Sequence, residues 1–276
     1  MSDATQTVAD ALRDAKAQGL DRLDAQLLLA HVLARPRSWL LAHDDAPLDD
    51  LQRGAWQALL ARRLAGEPVA YLIGAKEFHG LALRVDANVL VPRPETELLV
   101  DWAIERLEAM SSPERRVIDL GTGSGAIALA VKHAVPSARV VASDVDPAAL
   151  QVAQTNAKRL GLDIGWHLGS WWSCFAGERF GLVLSNPPYI AGGDPHLAAL
   201  HHEPTLALTP GGDGLGALRA IVAGAPEHLE PGGWLLLEHG HDQADAVQAL
   251  LRAHDFAAIE TRRDLGGQPR CTGARH

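Results

Sequence analysis

Apolar residues in the first quarter of the chain recur at helical spacing. Val8, Leu12 and Ala15 are followed by Leu23, Leu27, Leu28 and Ala30, with almost no alternating stretch before Ala65. A period near 3.6 residues predicts amphipathic helices. Gly19, Arg35-Pro36, Ala46-Pro47 and Gly66-Glu67-Pro68 interrupt the pattern, so residues 1–76 are expected to form a small all-helical domain of four or five helices. From Glu77 the pattern changes to short alternating runs, 81–85 and 89–91, separated by Asp86-Ala87-Asn88. Residues 77–92 therefore read as a β-hairpin linker. After Pro92 and Pro94, the residues Leu98, Leu99, Trp102, Ile104 and Leu107 offer the buried stripe of a helix over about 95–110.

Strands and helices then alternate. The apolar runs place strands at 117–120, 139–143, 165–168, 180–185 and 234–238, and helices at 126–134, 147–160, 214–229 and 241–253. Residues 257–262 and 270–273 complete the pattern as an antiparallel edge pair. Alternation of this kind means a mostly parallel sheet covered on both faces, with ligands at the carboxyl ends of its strands. Residues 93–276 are accordingly expected to be one doubly wound, Rossmann-like α/β domain.

Composition narrows the partners. Lys and Arg number 25 against 34 Asp and Glu, a net charge of -9, which repels phosphate backbones unless a basic stripe compensates. No such stripe is visible, so no direct nucleic-acid partner is expected. The first residues carry Asp3, Asp10 and Asp14 where a secretory signal would carry a basic region and an apolar run. No apolar run approaches the ~20 residues of a membrane span. A cytoplasmic location is the expectation, and Cys174 and Cys271 suit free or buried thiols in a reducing compartment. The pairs His201-His202 and His239-x-His241 lack a third ligand at metal spacing, so no metal site is expected.

The candidate chemistry lies at two strand ends. The first strand of the alternating region empties into Gly121-Thr122-Gly123-Ser124-Gly125, directly before a helix. Glycines let the backbone turn sharply and approach a ligand, and the helix start offers unpaired N–H groups. Asp144 ends the next strand, 144 − 125 = 19 residues after the last glycine, near the ~20-residue offset at which a carboxylate accepts from ribose hydroxyls. A ribose-bearing cofactor follows, either a nicotinamide dinucleotide or S-adenosylmethionine (SAM). The reacting end decides between them. Strand 180–185 leads into Asn186-Pro187-Pro188-Tyr189. An amide-like NH2 is a poor nucleophile because its lone pair is delocalised. The Asn186 side-chain oxygen and the Pro187 carbonyl can accept its two hydrogens, the prolines offer no competing N–H, and Tyr189 can supply a flat wall. As positive charge builds on nitrogen those hydrogen bonds strengthen, which favours methyl transfer from SAM. Asn186, Pro187 and Tyr189 are the candidate catalytic residues, with Pro188 completing the substrate contact.

The sequence resembles the HemK/PrmC family, the glutamine-N5 methyltransferases of peptide chain release factors. The resemblance is carried by Val91-Pro92-Arg93-Pro94-Glu95-Thr96-Glu97, Asp119-Leu120-Gly121-Thr122-Gly123-Ser124-Gly125-Ala126, Ser185-Asn186-Pro187-Pro188-Tyr189-Ile190, Glu203-Pro204 and Leu235-Leu236-Leu237-Glu238-His239-Gly240. It implies a class I SAM-dependent methyltransferase domain behind a small helical substrate-recognition domain. It implies that Gly121, Thr122, Gly123, Ser124, Gly125 and Asp144 hold SAM, joined by Asn186, that Trp171 lies against the adenine, and that Asn186 to Tyr189 hold the glutamine of a Gly-Gly-Gln loop. The chain departs from the family at Ser170, where an acidic residue usually precedes the tryptophan; a hydroxyl there accepts more weakly from an adenine amino group. Adenine-N6 methyltransferases of DNA or RNA share the tetrapeptide and form the alternative, against which the net charge argues.

Overall fold

The computed structural model describes residues 6–110 and 115–276; Asp3, one of the acids that argued against a signal sequence, lies outside them. Local chemistry starts the first helices. Thr7 and Asp10 form a reciprocal capping box ahead of α1 (Val8–Ala17), and Asp21 accepts from Leu23 and Asp24 N–H groups at the start of α2 (Arg22–Leu33). After α3 (Arg37–Ala42), a second capping box between Asp49 and Gln52 opens α4 (Asp50–Leu64), and α5 (Val69–Ile73) follows Pro68. Val8, Ala11, Leu28, Leu29, Leu40, Trp56 and Leu60 fill the core of this unit. Leu23 belongs elsewhere: it is 46% exposed, because it stands five residues from Leu28, on nearly the opposite side of the helix. Ala25, Leu28 and Leu29 form the buried stripe instead.

The chain divides between Ala75 and Lys76 into the helical unit and a larger one. The hairpin lies earlier than the alternating pattern placed it. Its strands are β1 (Ala75–Phe78) and β2 (Leu81–Arg84), joined by His79 and Gly80 at φ 49° and 77°, the positive dihedrals that a two-residue type I′ turn requires. Residues 89–91 form no strand. Asp86 turns the chain there, its carboxylate accepting from Asn88 N–H at 3.0 Å and its carbonyl from Val89 N–H at 3.1 Å, and local capping of this kind competes with strand pairing.

A 3₁₀ turn at Pro94–Thr96 leads into α6 (Glu97–Ala109). The expected alternation follows as β3 (Arg116–Leu120), α7 (Ala126–Ala134), β4 (Arg139–Asp144), α8 (Pro147–Leu160), β5 (Gly165–Leu168) and β6 (Phe180–Ser185). Then come α9 (Thr205–Leu208), α10 (Gly216–His228), β7 (Leu229–Glu238), α11 (Ala244–Ala253), β8 (Ala257–Arg263) and β9 (Pro269–Arg275). Two boundaries differ for local reasons. β7 starts at Leu229 because Leu229 already pairs with Phe180, and the register breaks before Leu182 meets Trp234; the Pro231-Gly232-Gly233 break hid the continuity. α11 starts at Ala244 because Gln243 closes a turn with Gly240 through N–H to carbonyl and N–H to side-chain bonds, both 2.9 Å.

The seven strands are ordered β5-β4-β3-β6-β7-β9-β8. β3 to β7 run parallel, whereas β9 is antiparallel to both β7 and β8. Side chains alternate across the sheet as a period of two demands. Val117, Leu182, Leu184 and Leu236 face one core with Leu99, Trp102 and Leu129. Ile118, Val183, Leu235 and Leu237 face the other with Ile221, Val222 and Leu251. This is the Rossmann-like α/β architecture. With β4 on one side of β3 and β6 on the other, the chain reverses its winding beside β3, and a crevice is left at the carboxyl ends.

Candidate active site

A cleft of about 390 Å³ occupies that crevice, within the usual size of a small-molecule site. Gly121 to Ser124 form its floor, Asp144 to Asp146 one side, Gly169 to Trp171 another, and Asn186 with Pro188 its inner end. Asn88 to Leu90, Pro92, Arg93 and Thr96 line it as well, together with residues of the 204–217 segment.

The floor is held by backbone. Gly121 and Thr122 N–H both donate to Ser143 O at 2.9 Å, which clamps the loop to the end of β4. Gly121 and Gly123 take φ values of 72° and 55°, which side chains other than glycine adopt only at a cost. A Cβ on Gly121 would also stand 3.3 Å from Trp171 Cζ3, so the bare glycine makes room for the indole. Gly125 is different. It caps α7 at φ 83°, and a Cβ there would meet Leu129 Cδ1 at 3.0 Å and Ala153 Cβ at 3.2 Å. It is absent from the cleft lining and serves helix packing, as the third glycine of such a loop does. Asn156 anchors the loop from below, accepting from Arg84 N–H at 2.7 Å and donating to Arg84 O and Ser124 O at 2.9 Å.

Asp144 lines the cleft with one oxygen bound by Gly123 N–H at 2.8 Å and the other by Asp146 N–H at 3.0 Å. Burial raises its pKa, and those two N–H groups oppose the rise. The bonds fix the carboxylate's orientation and leave it lone pairs for a ligand. Asp119, at the end of β3, is fully buried. Its Oδ2 accepts from Thr122 Oγ1 at 2.6 Å and Ala128 N–H at 3.3 Å, while Oδ1 has no partner. Desolvation pushes this carboxyl up to about 7.

At the inner end, Asn186 Nδ2 donates to Thr96 Oγ1 at 3.1 Å. Among the described residues nothing donates to Asn186 Oδ1. Thr96 in turn lies against the carboxylate of Glu238 and favours its charged form, against a desolvation that pushes Glu238 up to about 7. Tyr189 does not line the cleft. It packs on the second core, with its hydroxyl 3.4 Å from Glu238 Oε1, and burial raises its pKa further. Pro187 is buried and likewise absent from the lining. The backbone beyond is fixed by Gln243 Nε2, which donates to Tyr189 O at 2.9 Å. The buried Glu203 joins the two segments: one oxygen accepts from Val91 N–H at 3.0 Å and the other from Arg93.

The fold thus brings together Gly121 to Ser124, Asp144, Ser170, Trp171, Asn186 and Pro188, and sets Gly125, Pro187 and Tyr189 behind them. Asp119, Thr96, Glu203 and Glu238 had no chemical role in the sequence reading. Asp119 and Glu238 carried the same signal that nominated Asp144, an acid at the carboxyl end of a parallel strand. The His239 ring is buried between Gly240 O at 2.8 Å and Thr272 Oγ1 at 2.7 Å, and desolvation lowers its pKa.

Residues 3–74 match the family model described as PrmC N-terminal domain, and residues 96–213 match that described as Methyltransferase small domain. The chain is 50% identical over 258 residues to the release factor glutamine methyltransferase of Bordetella pertussis, covering 92% of this chain and 95% of that protein. It is 49% identical over 268 residues to the protein of the same name from Xylella fastidiosa, covering 96% and 97%. Among solved structures, the N-terminal domain of human METTL16 in complex with SAH shares the fold at 17% identity, with a TM-score of 0.53 over 71% of this chain and 76% of that one.

Proposed function

Because the chain belongs to the release factor glutamine methyltransferase family, we propose that it moves a methyl group from SAM to N5 of the glutamine in the Gly-Gly-Gln loop of peptide chain release factors. The observation that carries this reading is Asn186 at the inner end of the cleft, its NH2 engaged by Thr96 and its oxygen left to accept.

The cleft suits SAM in kind. Cβ-free backbone at Gly121 and Gly123 admits close approach of the amino-acid part, the Asp144 carboxylate is oriented for ribose hydroxyls, and the Trp171 indole offers a face to the adenine. When bound, SAM supplies an electrophilic methyl on a sulfonium sulfur. Asn186 Oδ1 accepts one hydrogen of the glutamine amide, and although Pro187 itself lies behind the lining we assign the other to its backbone carbonyl, which stands between the lining residues Asn186 and Pro188. With both hydrogens held, the nitrogen lone pair is directed at the methyl carbon. Bound SAM would supply the methyl group, its C–S bond giving way to the new N–C bond, while Asn186 would hold the nitrogen and one N–H proton would pass to water. The hydrogen bond to Asn186 strengthens as nitrogen becomes positive, so it lowers the barrier more than it tightens binding.

We assign residues 1–76 to recognition of the release factor and 93–276 to transfer. No helix among the described residues is long and apolar enough to cross a membrane, and we place the protein in the cytoplasm with its substrate, without direct nucleic-acid contact. The test is incubation with methyl-labelled SAM and a release factor, DNA and RNA side by side, followed by peptide mass analysis. One added methyl on the Gly-Gly-Gln glutamine is expected. Label in DNA or RNA with none on the release factor would overturn the reading in favour of an adenine-N6 methyltransferase.

A further inference from the structure

Two consecutive tryptophans end the loop after β5, and they do different things. Trp171 lines the cleft, its Cζ3 standing 3.3 Å from where a Cβ on Gly121 would be. It also holds a left-handed backbone, with φ 47°, and among the described residues it is the one non-glycine member of the lining that does so. Such a conformation costs a side chain with a Cβ free energy that other contacts have to offset.

Those contacts belong to Trp172, which is absent from the lining. Its indole N–H donates to Ile221 O at 3.1 Å, and its ring stacks on His228 with centroids 4.7 Å apart and planes 3° from parallel. The His228 ring is itself fixed, Nδ1 lying 3.0 Å from Glu178 O. Between Ile221 and His228 stands Gly224. A Cβ there would lie 2.2 Å from Trp172 Cδ1 and 2.4 Å from Nε1, so α10 admits the indole only because that side chain is missing. Glycine in a helix interior is less favourable than alanine, and Gly224 has no positive φ that would call for it. Ile221, Gly224 and His228 are three and four residues apart, which puts them on one face of α10. Ala217, four residues before Ile221 on that face, lines the cleft.

The seating of Trp172 reaches Trp171 through a closed turn. Ser173 N–H donates to Ser170 O at 3.0 Å across both tryptophans, and Phe175 N–H donates to Trp172 O at 3.0 Å. At the start of the loop, Gly169 N–H donates to Asp144 O at 2.9 Å. We propose that Trp172, seated in the notch that Gly224 opens in α10, is a positioning residue that holds Trp171 over Gly121 as the wall for the adenine of SAM. This rests on the reading of Trp171 as the adenine contact.

Full-length Trp172→Ala, Trp172→Phe, Gly224→Ala and Trp171→Ala proteins would be titrated with SAM by calorimetry and assayed with an intact release factor, with circular dichroism to confirm folding. Trp172→Ala and Gly224→Ala should each weaken SAM binding by about tenfold, the scale of one lost stack on a base. KM for SAM should rise alike, while kcat at saturating SAM changes by less than about twofold. Trp172→Phe keeps a ring in the notch and should retain most of the affinity. In a Trp171→Ala background, Gly224→Ala should add no further loss, because its effect passes through Trp171. A merely structural role would lower Tm in these variants and leave SAM affinity alone. Wild-type SAM affinity in folded Gly224→Ala, or a full additional loss in the double variant, would overturn the proposal. If Trp172→Ala fails to fold, Gly224→Ala, alone and with Trp171→Ala, decides. A Trp171→Ala protein that binds SAM as tightly as wild type is a different failure, since it removes the adenine reading itself.

Discussion

The two ends of the cleft are made on different principles. Around Gly121 to Gly125 the work is done by backbone: positive dihedrals, N–H groups clamped to Ser143 O, and space left by missing Cβ atoms. Around Asn186 it is done by side chains drawn from distant parts of the chain, the Asn186 amide being held by the Thr96 hydroxyl. The first arrangement is a shape, and damage to it should show in binding or in stability. The second is an orientation, and damage to it should show in the rate of transfer while binding persists.

The sharpest division is expected from Asn186→Ala. Deleting one preorganised acceptor should lower single-turnover methylation by about 10² to 10³, while SAM titration changes little, because Gly121 to Ser124 and Asp144 remain. Equal losses in rate and SAM affinity would erase the distinction between the ends. Asp144→Ala should do the converse. Loss of charge-assisted hydrogen bonds of roughly 1.5 to 3 kcal/mol predicts SAM affinity weaker by about tenfold or more in calorimetric titration, with the maximal rate at saturating SAM largely kept.

Gly125→Ala separates packing from binding within the loop itself. Its φ of 83° and the contact with Leu129 predict a loss of about 1 to 2 kcal/mol in denaturant unfolding. SAM affinity of the protein that remains folded should be near normal. A large affinity loss without destabilisation would return Gly125 to the ligand contacts. The smallest effect is expected far from the cleft: Thr7→Ala breaks the capping box of α1 and should cost about 1 kcal/mol of stability, read as a lower Tm with kcat unchanged.

How much of this was legible follows the same division. The glycine loop, Asp144 and the Asn186 tetrapeptide are continuous stretches whose geometry is local, and strict periodicity gave the strands and helices of the larger unit within a few residues. The hairpin was misplaced because Asp86-Ala87-Asn88 was read as its turn, whereas the turn is at His79 and Gly80, whose positive dihedrals a reading by period alone does not register. Thr96 and Asn186 stand 90 residues apart, and Glu203 is 112 from Val91. Pairings over such separations depend on which strand ends the sheet order brings together, and a linear pattern does not contain that order. Gly125 and Tyr189 show the complementary limit, since a motif states which residues occur together but not which of them face the ligand.

The place of β9 bears on how the protein is made. It lies between β7 and β8 and pairs with both, although its residues 269–275 follow every other strand in sequence. During synthesis β7 therefore keeps a bare hydrogen-bonding edge, and β8 has no neighbour, until those residues have left the ribosome. The helical unit is under no such constraint, because the residues of its core all lie within the first 75. Translation thus delivers the helical unit well before the sheet can be closed, and the bare edge of β7 is open to aggregation until β9 has paired with it.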